Sequence, residues 1–204
     1  MVSADTQRVG VLGSLCNPVH LGHLLLCQEA TWQLGLSRVV LVPTGVPPHR
    51  PAPAESAAVR LRLAQAAAIG NPALTVSRVE IERPGPSYMV DTLRELAQRY
   101  PGNGLVLLLG SDQYAALSTW HEPELVPKLA QIAVARRPGV SPDVLADSDI
   151  ERIEMPQVDI SSSMIRERVA AGRPIRHLVP DPVRELIEAE GLYRSCPGSG
   201  VRWS

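Results

Sequence analysis

Short aliphatic runs alternate with longer helix-patterned stretches along most of the chain, and this alternation narrows the fold more than any other feature. Strands are expected over 9–15, 39–42, 74–81, 105–109 and 132–135. Helices are expected over 21–34, 56–69, 89–100, 162–171 and 182–190. The run 105–109 is apolar at every position, as a strand covered on both faces of a parallel sheet must be. The pattern predicts an α/β fold, a Rossmann-like doubly wound parallel sheet with right-handed crossovers. A short helical C-terminal part over about 160–204 closes it, and 1–204 reads as a single domain without repeats or a long linker.

Composition excludes several classes. Twenty basic against 21 acidic residues leave a net charge of −1, which argues against a nucleic-acid partner. A hydrophobic share of 45% with 20% charged residues belongs to a folded chain rather than a disordered one. No apolar run approaches the roughly 20 residues of a membrane span, and the first residues lack the apolar stretch of a signal peptide. Cys16, Cys27 and Cys196 lie far apart without metal spacing, and read as reduced thiols in a cytoplasmic protein.

In open parallel sheets, ligands bind beyond the carboxyl ends of the strands. The loops after residues 15, 42, 109 and 135 are therefore the candidate site. The first reads Gly13-Ser14-Leu15-Cys16-Asn17-Pro18-Val19-His20-Leu21-Gly22-His23 and opens a helix, whose N-terminal N–H groups and dipole suit phosphate. Gly13 would permit a tight turn, and Gly22 a close approach of ligand to backbone. His20 and His23, three apart, share a helical face and could donate hydrogen bonds to a polyphosphate. The competing readings are two surface histidines at a helix start, or a metal pair, which lacks a third nearby ligand beyond Cys16. Near the other end, Ile160-Ser161-Ser162-Ser163-Met164-Ile165-Arg166 supplies hydroxyl caps and an arginine on the first turn of a helix. Such an arginine can fork onto phosphate oxygens, or lie on the surface beside a plain serine cap.

His20-Leu21-Gly22-His23 resembles the HxGH signature of the nucleotidyltransferase superfamily, and Ile160 to Arg166 resembles its ISSTxIR signature. Three middle segments are similar to the bacterial nicotinate mononucleotide adenylyltransferase family. They are Pro43 to Arg50 (its PxxxPPHK loop), Pro86-Ser87-Tyr88-Met89-Val90-Asp91-Thr92-Leu93 (its PSYTxDTL) and Gly110-Ser111-Asp112 followed by Thr119-Trp120. The tail from Leu178 to Tyr193 also resembles the family's closing segment. Arg50 stands where lysine is usual, Met89 where threonine is, and Cys16 where phenylalanine is. Ser14 and Asn17 depart from the bacterial GGxFDP but match the GSFNP of eukaryotic relatives.

The resemblance implies transfer of AMP from ATP to nicotinate mononucleotide, giving deamido-NAD and pyrophosphate in NAD biosynthesis. His20, His23 and Arg166 would be catalytic, holding the departing phosphates. Gly13, Ser14, Leu15, Gly22, Ile160, Ser161, Ser162 and Ser163 would complete the ATP site. Arg50, Asp91, Thr92, Gly110, Asp112, Trp120 and Arg137 would bind the acceptor. Trp120 is the largest aromatic face for stacking on a pyridine, or else a core cap. Asp112 can accept ribose hydroxyls or cap a helix, and Asp91 and Thr92 can likewise be caps. Mg²⁺ is expected to arrive mainly on ATP, with no protein metal site. A homo-oligomer is compatible with the sequence. The alternatives are another HxGH adenylyltransferase, acting on nicotinamide mononucleotide or phosphopantetheine, and a nucleotide-binding regulatory protein without turnover.

Overall fold

The computed structural model describes residues 7–48, 51, 53–136 and 149–194. Six strands form one sheet, entirely parallel: β1 (Arg8–Ser14), β2 (Leu36–Pro43), β3 (Leu74–Val76), β4 (Gly104–Gly110), β5 (Gln131–Ala135) and β6 (Glu151–Ile153), in the order β3-β2-β1-β4-β5-β6. The order reverses between β1 and β4, so a crevice opens beyond their carboxyl ends.

Alternation along the strands splits the core in two. Leu12, Val39, Leu41, Val106 and Leu108 face one layer. That layer contains α1 (Leu21–Gln33), α2 (Ala57–Ala68), α7 (Ser162–Ala170) and α8 (Asp181–Glu190). Val9, Val11, Val40, Val42, Leu105, Leu107 and Leu109 face the other. There they meet α3 (Val79–Glu82), α4 (Met89–Arg99) and α6 (Val126–Leu129), while α5 (Ser111–Ala115) follows β4 directly. Burial on both faces is why these strands read as continuous aliphatic runs.

Two expectations are corrected. The strand predicted over 74–81 stops at Val76: Ser77 Oγ accepts from Val79 N–H, and the chain turns into α3. The edge strand β6 was not expected, because Glu151-Arg152-Ile153 is short and half polar and pairs only with β5. The predicted helices appear within a residue or two of their expected ends, α2 with Ser56 as its N-cap. Among the described residues, no helix is long and apolar enough to cross a membrane.

Candidate active site

The first loop leaves β1 and enters α1 at the switch point. Gly13 does not make a turn, contrary to expectation. It lies within β1, and a Cβ there would come 2.5 Å from the Met89 methyl. The left-handed residue is Cys16, at φ 55, which a side chain adopts only under strain. Its thiol is fully buried, and burial pushes its pKa up to about 12, so it stays protonated. Gly22 leaves room for an imidazole rather than for ligand, since a Cβ would lie 3.1 Å from the His20 ring.

His20 caps α1 and is buried, its ring centroid 3.8 Å from that of His23. The His20 N–H donates to His23 Nδ1 at 3.2 Å. Neutral His23 therefore carries its proton on Nε2, which lies 3.0 Å from Ser14 Oγ. Ser14 Oγ also accepts from the Cys16 N–H at 3.2 Å. The Ser14 hydroxyl is also within hydrogen-bond reach of the Cys16 thiol, and Ser14 lines a cavity beyond the strand ends.

That cavity, about 310 Å³, runs between the loops after β1, β2 and β4. Leu15, Thr44, Met89 and Trp120 are among its walls, Asp112 stands at its rim, and Gly110 ends β4 beside it. Trp120 is half-buried: it lines the cavity and packs on the core at the same time. Tyr88 stacks on His121 at 4.1 Å, and both line the same cavity.

Asp91 and Thr92 stand apart. Asp91 pairs with Arg94 at 3.0 Å. Thr92 is fully buried and donates to Glu80 Oε1 at 2.7 Å while accepting from Arg83. Thr92 is thus joined to the cavity wall indirectly, through Glu80, a lining carboxyl that is itself buried, and through the Tyr88 carbonyl. Burial raises the Glu80 pKa, and hydrogen bonds from Thr92 and Ser87 and the Arg83 charge oppose that rise.

The serine segment braces the first loop from outside. Ser161 Oγ caps α7 by accepting from Met164 N–H at 3.2 Å, and Ile160 packs on the core. Ser162 Oγ donates to Pro18 O at 2.8 Å. Arg166 donates to Asn17 O at 2.8 Å and to Ser163 Oγ at 3.1 Å. Arg166 faces a second cavity, about 660 Å³, shared with Asn17, Glu55 and Tyr193. Arg50 and Arg137 lie outside the described residues.

The sequence reading missed Arg60, Glu80, Ser87, Tyr88 and His121. Arg60 is almost wholly buried, and its guanidinium reaches the carbonyls of Leu15, Thr44 and Gly45. Its helical register with Leu63, Ala64 and Ala67, on the buried side of α2, was the available signal.

No group of three or more His, Cys, Asp or Glu among the described residues could hold a metal ion. The donors gathered at α1 are imidazole nitrogens, whereas Mg²⁺ takes oxygens. A resident Mg²⁺ site does not fit these side chains.

A parallel sheet with its switch point under a His-x-Gly-His helix start defines a nucleotidyltransferase, and the profile for cytidylyltransferase-like proteins matches residues 12–168. Two bacterial relatives, from Exiguobacterium sibiricum and Thermus thermophilus, are each curated as a probable nicotinate-nucleotide adenylyltransferase. They are 41% identical over 187 and 188 residues, covering 92% of this chain and 99% and 100% of their own. The chain therefore belongs to the nicotinate-nucleotide adenylyltransferase family. In fold it is similar to the Plasmodium falciparum nicotinic acid mononucleotide adenylyltransferase solved with NaAD, at a TM-score of 0.77 and 14% identity. That match covers 92% of this chain and 97% of the other.

Proposed function

We propose that the chain transfers AMP from ATP to nicotinate mononucleotide, and that the crevice between β1 and β4 is where the two meet. A phosphate oxygen of the mononucleotide attacks the α-phosphorus in line. The bond from that phosphorus to the bridging oxygen breaks, and pyrophosphate leaves with deamido-NAD as product. No covalent protein intermediate is needed, because alignment and charge stabilisation can supply the rate.

One observation carries this reading: the Ser14–His23 hydrogen bond, made at the N-terminus of α1, ends on the wall of the 310 Å³ cavity that Trp120 also lines. The α1 N–H groups and the Ser14 hydroxyl are donors suited to phosphate oxygens. The neutral His23 Nε2–H orients that hydroxyl, and a protonated His23 would add a charge as pyrophosphate leaves. Arg166 holds the loop through Asn17 and supplies a cation beside it. Trp120 offers its face to the pyridine, and Asp112 its carboxylate to ribose hydroxyls. Arg50 and Arg137 are candidate contacts for the mononucleotide phosphate. Asp91 and Thr92 support the acceptor wall from α4. ATP enters as its Mg²⁺ complex, the ion carried by the phosphates as part of the substrate.

The test is direct. Protein, ATP and Mg²⁺ are incubated with nicotinate mononucleotide, nicotinamide mononucleotide or phosphopantetheine, and products are separated by chromatography. Deamido-NAD and pyrophosphate in equal amounts, with the other acceptors at least about tenfold slower, is the expected result. Preference for another acceptor would move the chain elsewhere in the superfamily, and no turnover with any would leave a nucleotide-binding protein.

A further inference from the structure

Arg60 lies outside every motif that points to the site, yet it is among the largest fully buried side chains of the protein. Among the described residues it pairs with no carboxylate; its hydrogen-bond partners are backbone carbonyls. Nη1 donates to Leu15 O at 3.0 Å and also to Thr44 O. Nη2 donates to Gly45 O at 2.8 Å, and Nε to Glu55 O at 3.4 Å. A buried guanidinium without a carboxylate partner is costly to desolvate, so its retention asks for a reason. Burial also lowers its pKa.

The carbonyls it gathers belong to the two loops that frame the cavity. Leu15 follows Ser14 on the β1 side, and Thr44 and Gly45 follow β2. Both Leu15 and Thr44 line the cavity, and Arg60 sits behind that wall. The Gly45 peptide is held from the opposite direction as well: its N–H donates to Ser87 Oγ at 3.0 Å. A Cβ at Gly45 would lie 2.1 Å from the Glu80 carbonyl oxygen, so this peptide has no freedom to shift toward α3. Through three nitrogens the guanidinium meets four carbonyls from three stretches of chain, whereas a lysine ammonium has three N–H donors on a single nitrogen and cannot place them at all four.

We propose that Arg60 is a positioning residue for adenylyl transfer: from behind the cavity wall it fixes the spacing between the Ser14–Leu15 loop and the Thr44–Gly45 loop. This rests on the reading that the attacking phosphate and the α-phosphorus meet between these loops. In-line transfer needs the reacting atoms about 3–3.5 Å apart, and a misplacement of about 1 Å can reduce the rate about a hundredfold. Arg60 acts on that distance through the two loops, without touching either substrate.

The experiment compares wild type with Arg60→Lys, Arg60→Met and Arg60→Ala. Thermal melts and circular dichroism give the folded fraction, and kcat and both KM values are normalised to it. Arg60→Lys is expected to fold, to lose about ten- to a hundredfold in kcat, and to keep KM for ATP and for the mononucleotide within about threefold. Guanidinium chloride at tens of millimolar should raise kcat of Arg60→Ala, and ammonium chloride should not. A merely structural arginine gives a different result: guanidinium would raise the folded fraction of the variant and leave kcat per folded molecule unchanged. A folded Arg60→Lys with wild-type kcat overturns the proposal. So does any variant set whose activity loss equals its unfolded fraction. Wild-type turnover, measured alongside, separates either result from a failure of the functional reading itself.

Discussion

Asn17 Nδ2 donates to Glu55 Oε2 at 2.8 Å, tying the first loop to the segment that enters α2. The Asn17 carbonyl oxygen of the same amide accepts from Tyr193 Oη at 2.7 Å, so both ends of the side chain are used. An aspartate, usual at this position in the bacterial family, could accept from the tyrosine but would face Glu55 with a second carboxylate. Asn17→Asp is therefore expected to lose a hydrogen bond to a charged group, about 1.5–3 kcal/mol, and to lower the melting temperature. Adding Glu55→Gln should recover much of the loss, since an amide can donate to Asp where Glu55 could not. Melts of the single and double variants check this; an unchanged single variant would make the Asn17–Glu55 bond energetically idle.

Ser14 and His23 are expected to act as one unit. Ser14→Ala removes a hydroxyl of the cavity wall, and His23→Ala removes the group hydrogen-bonded to it. Each should cost about ten- to a hundredfold in kcat with the fold intact. The double variant should cost clearly less than the product of the two, a coupling of about 0.5 kcal/mol or more. Strict additivity would show that the 3.0 Å contact does not matter to turnover.

Arg166→Lys keeps the charge but cannot hold Asn17 O and Ser163 Oγ together as the fork does. A rise in KM for ATP or a fall in kcat of about tenfold is the expected outcome. If both constants stay at wild-type values, Arg166 is only a surface residue of α7.

Glu80 gives a pH prediction whose sign follows from burial. Its pKa is raised in the folded protein, so between the unfolded value of 4.5 and the folded one the native state holds more proton than the unfolded state. Stability from this group is full below that window and declines as pH rises through it. Glu80→Gln removes the titration while keeping an acceptor for Thr92. The stability of Glu80→Gln relative to wild type should therefore rise across the window, read from melts at several pH values above 4. A flat difference curve would contradict the raised pKa.

At the acceptor end, Trp120→Ala should raise KM for the mononucleotide while leaving KM for ATP within about twofold. Loss of an aromatic stacking partner is worth about 0.5–1.5 kcal/mol beyond its buried area. Steady-state kinetics with each substrate varied in turn decides it. An undisturbed variant would send the search for the pyridine subsite to another wall of the cavity.

The sheet was legible because strands buried on both faces must be aliphatic throughout, and 105–109 satisfies that without ambiguity. What escaped was too short to carry a period: β6 and the helix turns between Ser111 and Leu129 span five residues or fewer each. The first loop was legible through His20 and His23, because histidine is an uncommon residue at a helix start, and the serine segment through its resemblance, since serines there are ordinary caps. Arg60 and Glu80 were not, since an arginine in a helical pattern, or a glutamate at the end of an expected strand, looks like solvated surface. Their meaning lies in contacts across 45 and 12 residues, which no local pattern records. Gly13 was misread because a glycine at a strand end suggests a turn, whereas here it continues β1 with the Met89 methyl packed over it.

The Tyr193–Asn17 bond spans 176 residues. During synthesis the first loop leaves the ribosome well before its tyrosine clasp. The loop can take that fastening only after the 176 residues that separate the two have been made, so a nascent chain carries the signature residues long before it can hold them in this arrangement.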